Sequence, residues 1–420
     1  MKFKVEELQT LFPDKINSKN TVSISTDSRT IASGQIFLPL SGQNFDGHDF
    51  INSVLDKTES ISSFCEKRKL HKVNEKHKNN LILVESTLDS YHKLANFYRK
   101  KINPKVIVVT GSSGKTTVKD LIYTVLSEKY KTHKTEANYN NEFGVPKTIL
   151  EMPEDTQVLV LELAMRAKGE IRYLSKTAEP DIAIITSVGT AHIGILGSVE
   201  EIIKAKCEIL EHLNSKGLAI LPNNSKLVEY SKSTWKGKSF IFDNTAESTQ
   251  VINSTIASKA ASKLGMSQSE IQKGLSSFEI PSGRGNVIKL GQDKFLIDET
   301  YNANPDSVKT AISNLVNSWG KKYKKILVLG ELAELGEHED KLLSDLGNWL
   351  KENPLDTVIT VGDKLKQITS ATNVENIDKC CAILDKLLVS GSIVLIKGSH
   401  VAGLESVVKH LNKDKKQTNI

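Results

Sequence analysis

The run Gly111, Ser112, Ser113, Gly114, Lys115, Thr116, Thr117 carries the clearest chemistry in the chain. Its glycines let backbone N–H groups converge on phosphate oxygens, and a helix opening at such a loop adds its positive end. Lys115 supplies a mobile cation for β- and γ-phosphates, while the Thr116 hydroxyl suits Mg2+. The run follows the apolar stretch VIVVT (106–110) and opens an amphipathic segment, which is the strand–loop–helix context a phosphate loop needs. The longer Walker form would require a glycine where Val109 stands, so this is the shorter GxxGKTT version.

Two more candidates close apolar runs. Glu162 ends VLVLE (158–162), and His192 follows IAIIT (182–186) in SVGTAHIG. In a parallel sheet both emerge at the C-terminal edge, which also carries the phosphate loop. A carboxylate and an imidazole beside phosphates suit a hard cation, although Mg2+ prefers oxygen. Taken alone, a strand-end Glu is more often a surface or capping group, and a lone His more often a hydrogen-bonded loop residue. Lys206, in VEEIIKAKCEIL, lies on a predicted helix and by itself reads as solvated; an unmodified ammonium has only donors and cannot bind a metal.

The elements that must position these groups fall into three textures. Residues 1–102 are short strand-like segments broken by turn residues, followed by a polar, lysine-rich stretch. Residues 103–305 alternate continuous apolar runs, the three above and LAIL (218–221), with helical segments. Val118, Leu121, Ile122, Val125 and Leu126 share one helical face. Continuous apolar strands alternating with helices predict a parallel sheet covered on both faces. Residues 306–420 repeat the pattern with ILVLG (326–330), TVITVG (357–362) and IVLIKG (393–398), predicting a smaller doubly wound, Rossmann-like α/β unit. No internal repeat is visible, and the tail KDKKQTNI is expected to fray.

Composition bounds the function. A chain of 420 residues implies about three domains, and 39% hydrophobic with 25% charged residues excludes a disordered, collagen-like or membrane-bundle protein. No apolar run approaches the roughly 18 residues of a membrane span. The opening MKFKVEELQT interleaves charges and cannot serve as a signal-peptide core, so a cytoplasmic protein is expected. Cys65, Cys207, Cys380 and Cys381 show no CxxC spacing and are expected to be reduced thiols. The net charge of +6 sits largely in lysine-rich stretches at 57–78, 321–325 and 413–416. With only 6% aromatics these read as solvated surface suited to anionic small substrates rather than as a nucleic-acid face.

The ordered motifs resemble, nearly end to end, the Mur ligases of peptidoglycan synthesis. STDSRTIASGQIFLPLSGQNFDGHDFI is similar to the family's uridine-nucleotide domain, GSSGKTT to its ATP loop and EANYNNEFGVPKTIL to the segment that follows. ELAMRAKGEIRYLSKTAEPDIAIITSVGTAHIGILGS resembles the central metal-binding stretch, and IDETYNANPDS, VLGELAELGE and VLIKGS resemble the third domain. YNANP and NYNNEFGVP favour the branch that adds D-alanyl-D-alanine. The resemblance implies three α/β domains and an ATP-dependent amide ligase that joins D-alanyl-D-alanine to UDP-N-acetylmuramoyl-tripeptide through an acyl phosphate. It also implies two Mg2+ ions bound through Thr116, Glu162, His192 and a CO2-derived carbamate on Lys206, with Lys115 steadying the transferring phosphoryl group. Arg284 is implied to contact the γ-phosphate, Asp298 the ribose or phosphate, and Asn253 the adenine. Thr26, Ser28 and Arg29 would meet the uridine diphosphate, and Asn302, Asn304 and Lys397 the cleft facing the central domain. No partner subunit is required, so a monomer is expected. The chain departs from the family pattern at Ser187, Leu343 and His400, which bears on substrate recognition. A related ligase adding a different amino acid, or a non-catalytic ATP-binding relative, would carry many of the same motifs.

Overall fold

The structure, a computed structural model, describes residues 2–13, 16, 21–57, 62–245, 248–291 and 293–413; most of the tail expected to fray lies outside the described residues. Among the described residues sixteen strands form three sheets, as the three textures predict.

The first sheet holds β1 (Ser23–Ser25), β2 (Gln35–Phe37), β3 (Ser62–Glu66) and β4 (Leu81–Val84) in that order, all parallel. Two lysines of the adjoining basic stretch are not merely solvated. Lys69 lies 3.0 Å from Asp46 Oδ1 and 3.5 Å from Glu66 Oε2, and Lys72 lies 2.7 Å from Asp46 Oδ2. The helix Thr87–Ile102, capped by Ser86, joins this unit to the next. Its Tyr98 hydroxyl donates to Met152 O at 3.0 Å, and its buried His92 sits between Thr177 Oγ1 (2.6 Å) and Glu142 O (2.7 Å). One apolar core therefore runs unbroken from Phe3 and Leu8 through Tyr98 to Leu159 and Leu174.

The central sheet contains β5 (Lys105–Thr110), β6 (Thr132–Lys134), β7 (Val158–Glu162), β8 (Ile182–Ile185), β9 (Leu218–Pro222) and β10 (Lys238–Phe242). Their order is β10-β9-β8-β5-β7-β6, parallel throughout. Along β5, Val106 and Val108 enter one core while Ile107 and Val109 enter another on the opposite face. Both faces are covered, which explains the unbroken apolar runs. The chain leaves β5 toward β6 on one side and later returns to β8 on the other, so the strand order reverses beside β5. Ligands of open α/β sheets bind at the C-terminal end of such a switch point.

The third sheet comprises β11 (Asn286–Gly291), β12 (Lys294–Glu299), β13 (Lys324–Leu329), β14 (Thr357–Val361), β15 (Thr372–Val374) and β16 (Ser392–Lys397), in the order β11-β12-β16-β13-β14-β15. Only β11 is antiparallel. The expected boundary at 305/306 does not coincide with the sheets, because β12 pairs with β16 from Lys294 to Glu299 and brings the hairpin before it into the third unit. We propose that the chain crosses between units near 283–285 instead, and near 102/103 for the first boundary. All four cysteines are buried and unpaired. No described helix is long and apolar enough to cross a membrane.

Candidate functional site

The phosphate loop leaves β5 at the switch point and enters the helix Lys115–Ser127, which begins at left-handed Gly114 without a side-chain cap. Its first amides are therefore open to an anion. The loop is stitched to the end of β8. Thr186 Oγ1 donates to Ser113 O (2.5 Å), Ser113 N to Ser187 Oγ (2.8 Å), Ser112 N to Ser187 O (3.0 Å) and Gly189 N to Ser112 Oγ (2.9 Å). Only glycine fits at 111: φ is +156°, and a Cβ would come 2.0 Å from Thr186 Oγ1. Lys115 Nζ folds back to donate to Gly111 O at 2.8 Å. Burial pushes its pKa down; Glu162 opposes that shift, Arg284 adds to it and Glu334 opposes it. Those three charged groups therefore share its neighbourhood. Thr117 lies on the first turn of the same helix.

Glu162, 2% exposed at the end of β7, is held by both oxygens. Thr116 Oγ1 donates to Oε2 at 2.7 Å, and Asn140 Nδ2 to Oε1 at 2.8 Å. The Glu162 amide donates to Thr135 Oγ1 (3.0 Å), and buried Lys119 fixes Thr135 by donating to its carbonyl (2.8 Å). Sequence reasoning singled out none of Asn140, Thr135 or Lys119, although Asn140 stands in the NYNNEFGVP string.

His192 begins a short helix at φ +68°. Its Nδ1 lies 2.6 Å from Glu334 Oε2 of the third unit, but that approach is poorly directed for a hydrogen bond and Nδ1 has no other partner among the described residues. The imidazole holds the Glu334 carboxyl below the usual carboxylate range. Glu334 lies in VLGELAELGE, but sequence reasoning gave it no role.

Lys206 does not lie on a solvated face. On the helix Val199–Cys207 it is 1% exposed, and no hydrogen-bond or ion-pair partner is found for its amine among the described residues. Burial, reinforced by the Lys115 charge, pushes its pKa well below the ordinary lysine value, so the amine is biased toward the neutral form.

The remaining candidates divide. Arg284 stacks on Tyr301, its guanidinium carbon 3.7 Å from the ring centroid. Asp298 is buried and spends its oxygens within the chain. Oδ2 accepts from Gly283 N (2.9 Å) and Ser282 Oγ (3.3 Å), and Oδ1 from Thr300 Oγ1 (2.7 Å) and Thr300 N (3.2 Å). Its place is therefore as a clamp on the turn that carries Arg284. Asn304 caps the helix Pro305–Ser318 in a reciprocal pair with Ser307. Lys397 is buried, donating to Glu299 Oε2 (2.8 Å) and Asn302 O (3.1 Å), while Asn302 itself is exposed. Asn253 is buried on the helix Thr249–Lys263, which packs against the phosphate-loop helix. Thr26, Ser28 and Arg29 stand on the loop after β1. There Arg29, 85% exposed, grips Asp27 through Nε (2.9 Å) and Nη2 (2.8 Å). Of the three departures, Ser187 supports the phosphate loop as described, Leu343 is core, and His400 is exposed beside Glu405 at 2.6 Å.

Fold and site define a three-unit α/β phosphate-loop protein whose nucleotide edge is met by a third, mostly parallel sheet. The chain belongs to the Mur ligase family. Family models match in succession: "Mur ligase family, catalytic domain" at 21–99, "Mur ligase middle domain" at 109–287 and "Mur ligase, glutamate ligase domain" at 283–400. The UDP-N-acetylmuramoyl-tripeptide--D-alanyl-D-alanine ligase of Synechocystis sp. is 35% identical, across 93% of this chain and 91% of its own. The solved structure of MurF from Acinetobacter baumannii matches at TM-score 0.85 and 28% identity, covering 98% of this chain and 99% of its own. MurF ligase from Thermotoga maritima in complex with ADP matches at TM-score 0.83 and 28% identity, covering 94% and 98%.

Proposed function

We infer that the chain is an ATP-dependent amide ligase that joins D-alanyl-D-alanine to UDP-N-acetylmuramoyl-tripeptide in peptidoglycan precursor synthesis. One observation carries the reading: an end-to-end likeness to ligases of that name falls on a chain whose Lys115 shares a neighbourhood with Glu162, Arg284 and Lys206.

The γ-phosphoryl group of ATP passes to the terminal carboxylate of the tripeptide, giving an acyl phosphate and ADP. The free amine of D-alanyl-D-alanine attacks the acyl carbon. The tetrahedral adduct loses a proton and expels phosphate, leaving the amide. Loop amides at 112–117 cradle the phosphates, and Lys115 turns from Gly111 O toward the transferring group. Arg284, kept rigid by Tyr301 and by the Asp298 clamp, faces the γ-phosphate. Thr26, Ser28 and Arg29 serve the uridine diphosphate, Asn253 the adenine, and Asn302 and Lys397 the cleft wall, with Asn304 shaping that wall as a helix cap.

The donor set suits Mg2+, because the Glu162 carboxylate and the Thr116 hydroxyl are hard oxygens held together. His192 and a carbamate on Lys206 would complete it. A buried amine with no partner among the described residues, biased toward neutrality, fits that modification, since only the neutral amine adds CO2. Divalent cations held there would supply neutralisation of the negative charge on the reacting groups. ATP and a UDP-linked substrate place the reaction in the cytoplasm, and a monomer suffices for it.

Phosphate release measured with each substrate withheld in turn tests the reading. Release is expected only when ATP, the UDP-tripeptide and D-alanyl-D-alanine are all present. Equal release with ATP alone would mark a plain ATPase, and a preference for single L-amino acids would mark a different ligase.

A further inference from the structure

The loop after β8 does more than carry His192, because the third unit grips it on both sides of that residue. Before it, Thr190 donates from N (2.6 Å) and Oγ1 (2.7 Å) to Asp306 Oδ2, on the first turn of the helix Pro305–Ser318. A Cβ at Gly189 would lie 2.5 Å from the same oxygen. After it, two glycines cross. Gly194 N donates to Glu334 O (3.3 Å). A Cβ on Gly194 would come 2.6 Å from Gly336 N, and a Cβ on Gly336 would come 2.7 Å from Gly194 Cα. Between the two grips His192 Nδ1 meets Glu334 Oε2 at 2.6 Å. Both residues hold left-handed backbone, at φ +68° and +62°, a conformation that is strained in a non-glycine residue and persists only where the surroundings impose it.

We propose that Asp306 and Glu334 are positioning residues through which docking of the third unit orients His192, so that the cation site of the central unit is complete only when the third unit is seated. The inference rests on His192 being a cation ligand, as in the function proposed above. A carboxylate beside the other nitrogen of a metal-binding imidazole orients the ring, and Glu334 stands in that place at ion-pair distance, so a small turn of the ring brings Nδ1 into line with it. With Nδ1 turned to Glu334, Nε2 is the nitrogen left to face a cation. The phosphate loop shares this scaffold, since Gly189 N donates to Ser112 Oγ and Ser187 supports Ser113. Seating of the third unit is thereby coupled to the site that activates the acid, which keeps water from an acyl phosphate formed too early.

Equilibrium binding of Mn2+ to the full chain with ADP, followed by electron paramagnetic resonance, tests this. Glu334→Ala is expected to weaken Mn2+ affinity about 10- to 100-fold. Gly194→Ala, which forces the two loops apart, should do the same. Their double variant should lose no more than either single one, as expected when both act through one contact. Glu334 is exposed at the seam, so its truncation leaves the core intact and carries the test even if Gly194→Ala fails to fold. Wild-type affinity in a folded Glu334→Ala would overturn the proposal. His192→Ala serves as the control: unchanged Mn2+ affinity there would remove His192 as a ligand, overturning the underlying assignment as well, whereas a loss in His192→Ala with none in Glu334→Ala would overturn the coupling alone.

Discussion

Thr116 Oγ1 donates to Glu162 Oε2 at 2.7 Å, tying the first turn of the phosphate-loop helix to the end of the adjacent strand. Two oxygens from different elements are thereby held side by side where the sheet order reverses. Thr116→Ser keeps the donor and should retain most activity. Thr116→Ala should raise the Mg2+ concentration for half-maximal turnover about 10- to 100-fold. A magnesium titration of the three proteins checks this, and identical curves would take Thr116 out of the cation site.

Asn140 is the other anchor of Glu162, donating to Oε1 at 2.8 Å. Asn140→Ala leaves the carboxylate in place but free to turn. Turnover should fall about tenfold or more, as for other groups that orient metal ligands, while the melting temperature shifts by only a few degrees. Unimpaired turnover at limiting Mg2+ would show that Glu162 needs no orienting.

Lys206 gives a sharper prediction. If its amine carries CO2, protein equilibrated with 13C-labelled bicarbonate should show a carbamate resonance that disappears in Lys206→Arg. That variant keeps a long basic side chain but cannot carry the carbamate, and should lose nearly all turnover. An active Lys206→Arg enzyme would remove the lysine from the chemistry.

His92 predicts a pH dependence of stability. Burial lowers its pKa from 6.5 to about 4, partly opposed by the Glu142 carbonyl and by Asp89. The unfolded chain therefore takes up the proton first as pH falls. The stability contributed by neutral His92 is complete above pH 6.5 and is lost progressively down to pH 4, by up to about 3 kcal/mol. Urea unfolding of His92→Gln should show a shallower fall than wild type across that window; parallel curves would mean the histidine does not stay neutral.

Much of the arrangement was legible in the sequence because its cause is local. GSSGKTT needs only its flanking strand and helix to become a phosphate loop, and the apolar runs of β5, β7, β8, β9, β13, β14 and β16 announce strands covered on both faces. The unit boundary was not legible, since in this hairpin β11 alternates exposed and half-buried residues and β12 mixes half-buried with buried ones, and nothing local tells which sheet they join. Asn304 and Asp298 were singled out by resemblance alone; that the fold also employs one as a helix cap and the other as a turn clamp depends on partners the motif does not show. Asn140 and Glu334 were passed over because their importance arises from partners 22 and more residues away. Lys206 looked solvated because helical periodicity alone cannot reveal that its face is turned inward.

The most direct test follows an oxygen atom. UDP-N-acetylmuramoyl-tripeptide labelled with 18O in its terminal carboxylate is turned over with ATP and D-alanyl-D-alanine, and the released phosphate is analysed by mass. Transfer through an acyl phosphate moves one labelled oxygen into that phosphate at each turnover. Unlabelled phosphate accompanying amide formation would contradict activation of the acid by phosphoryl transfer.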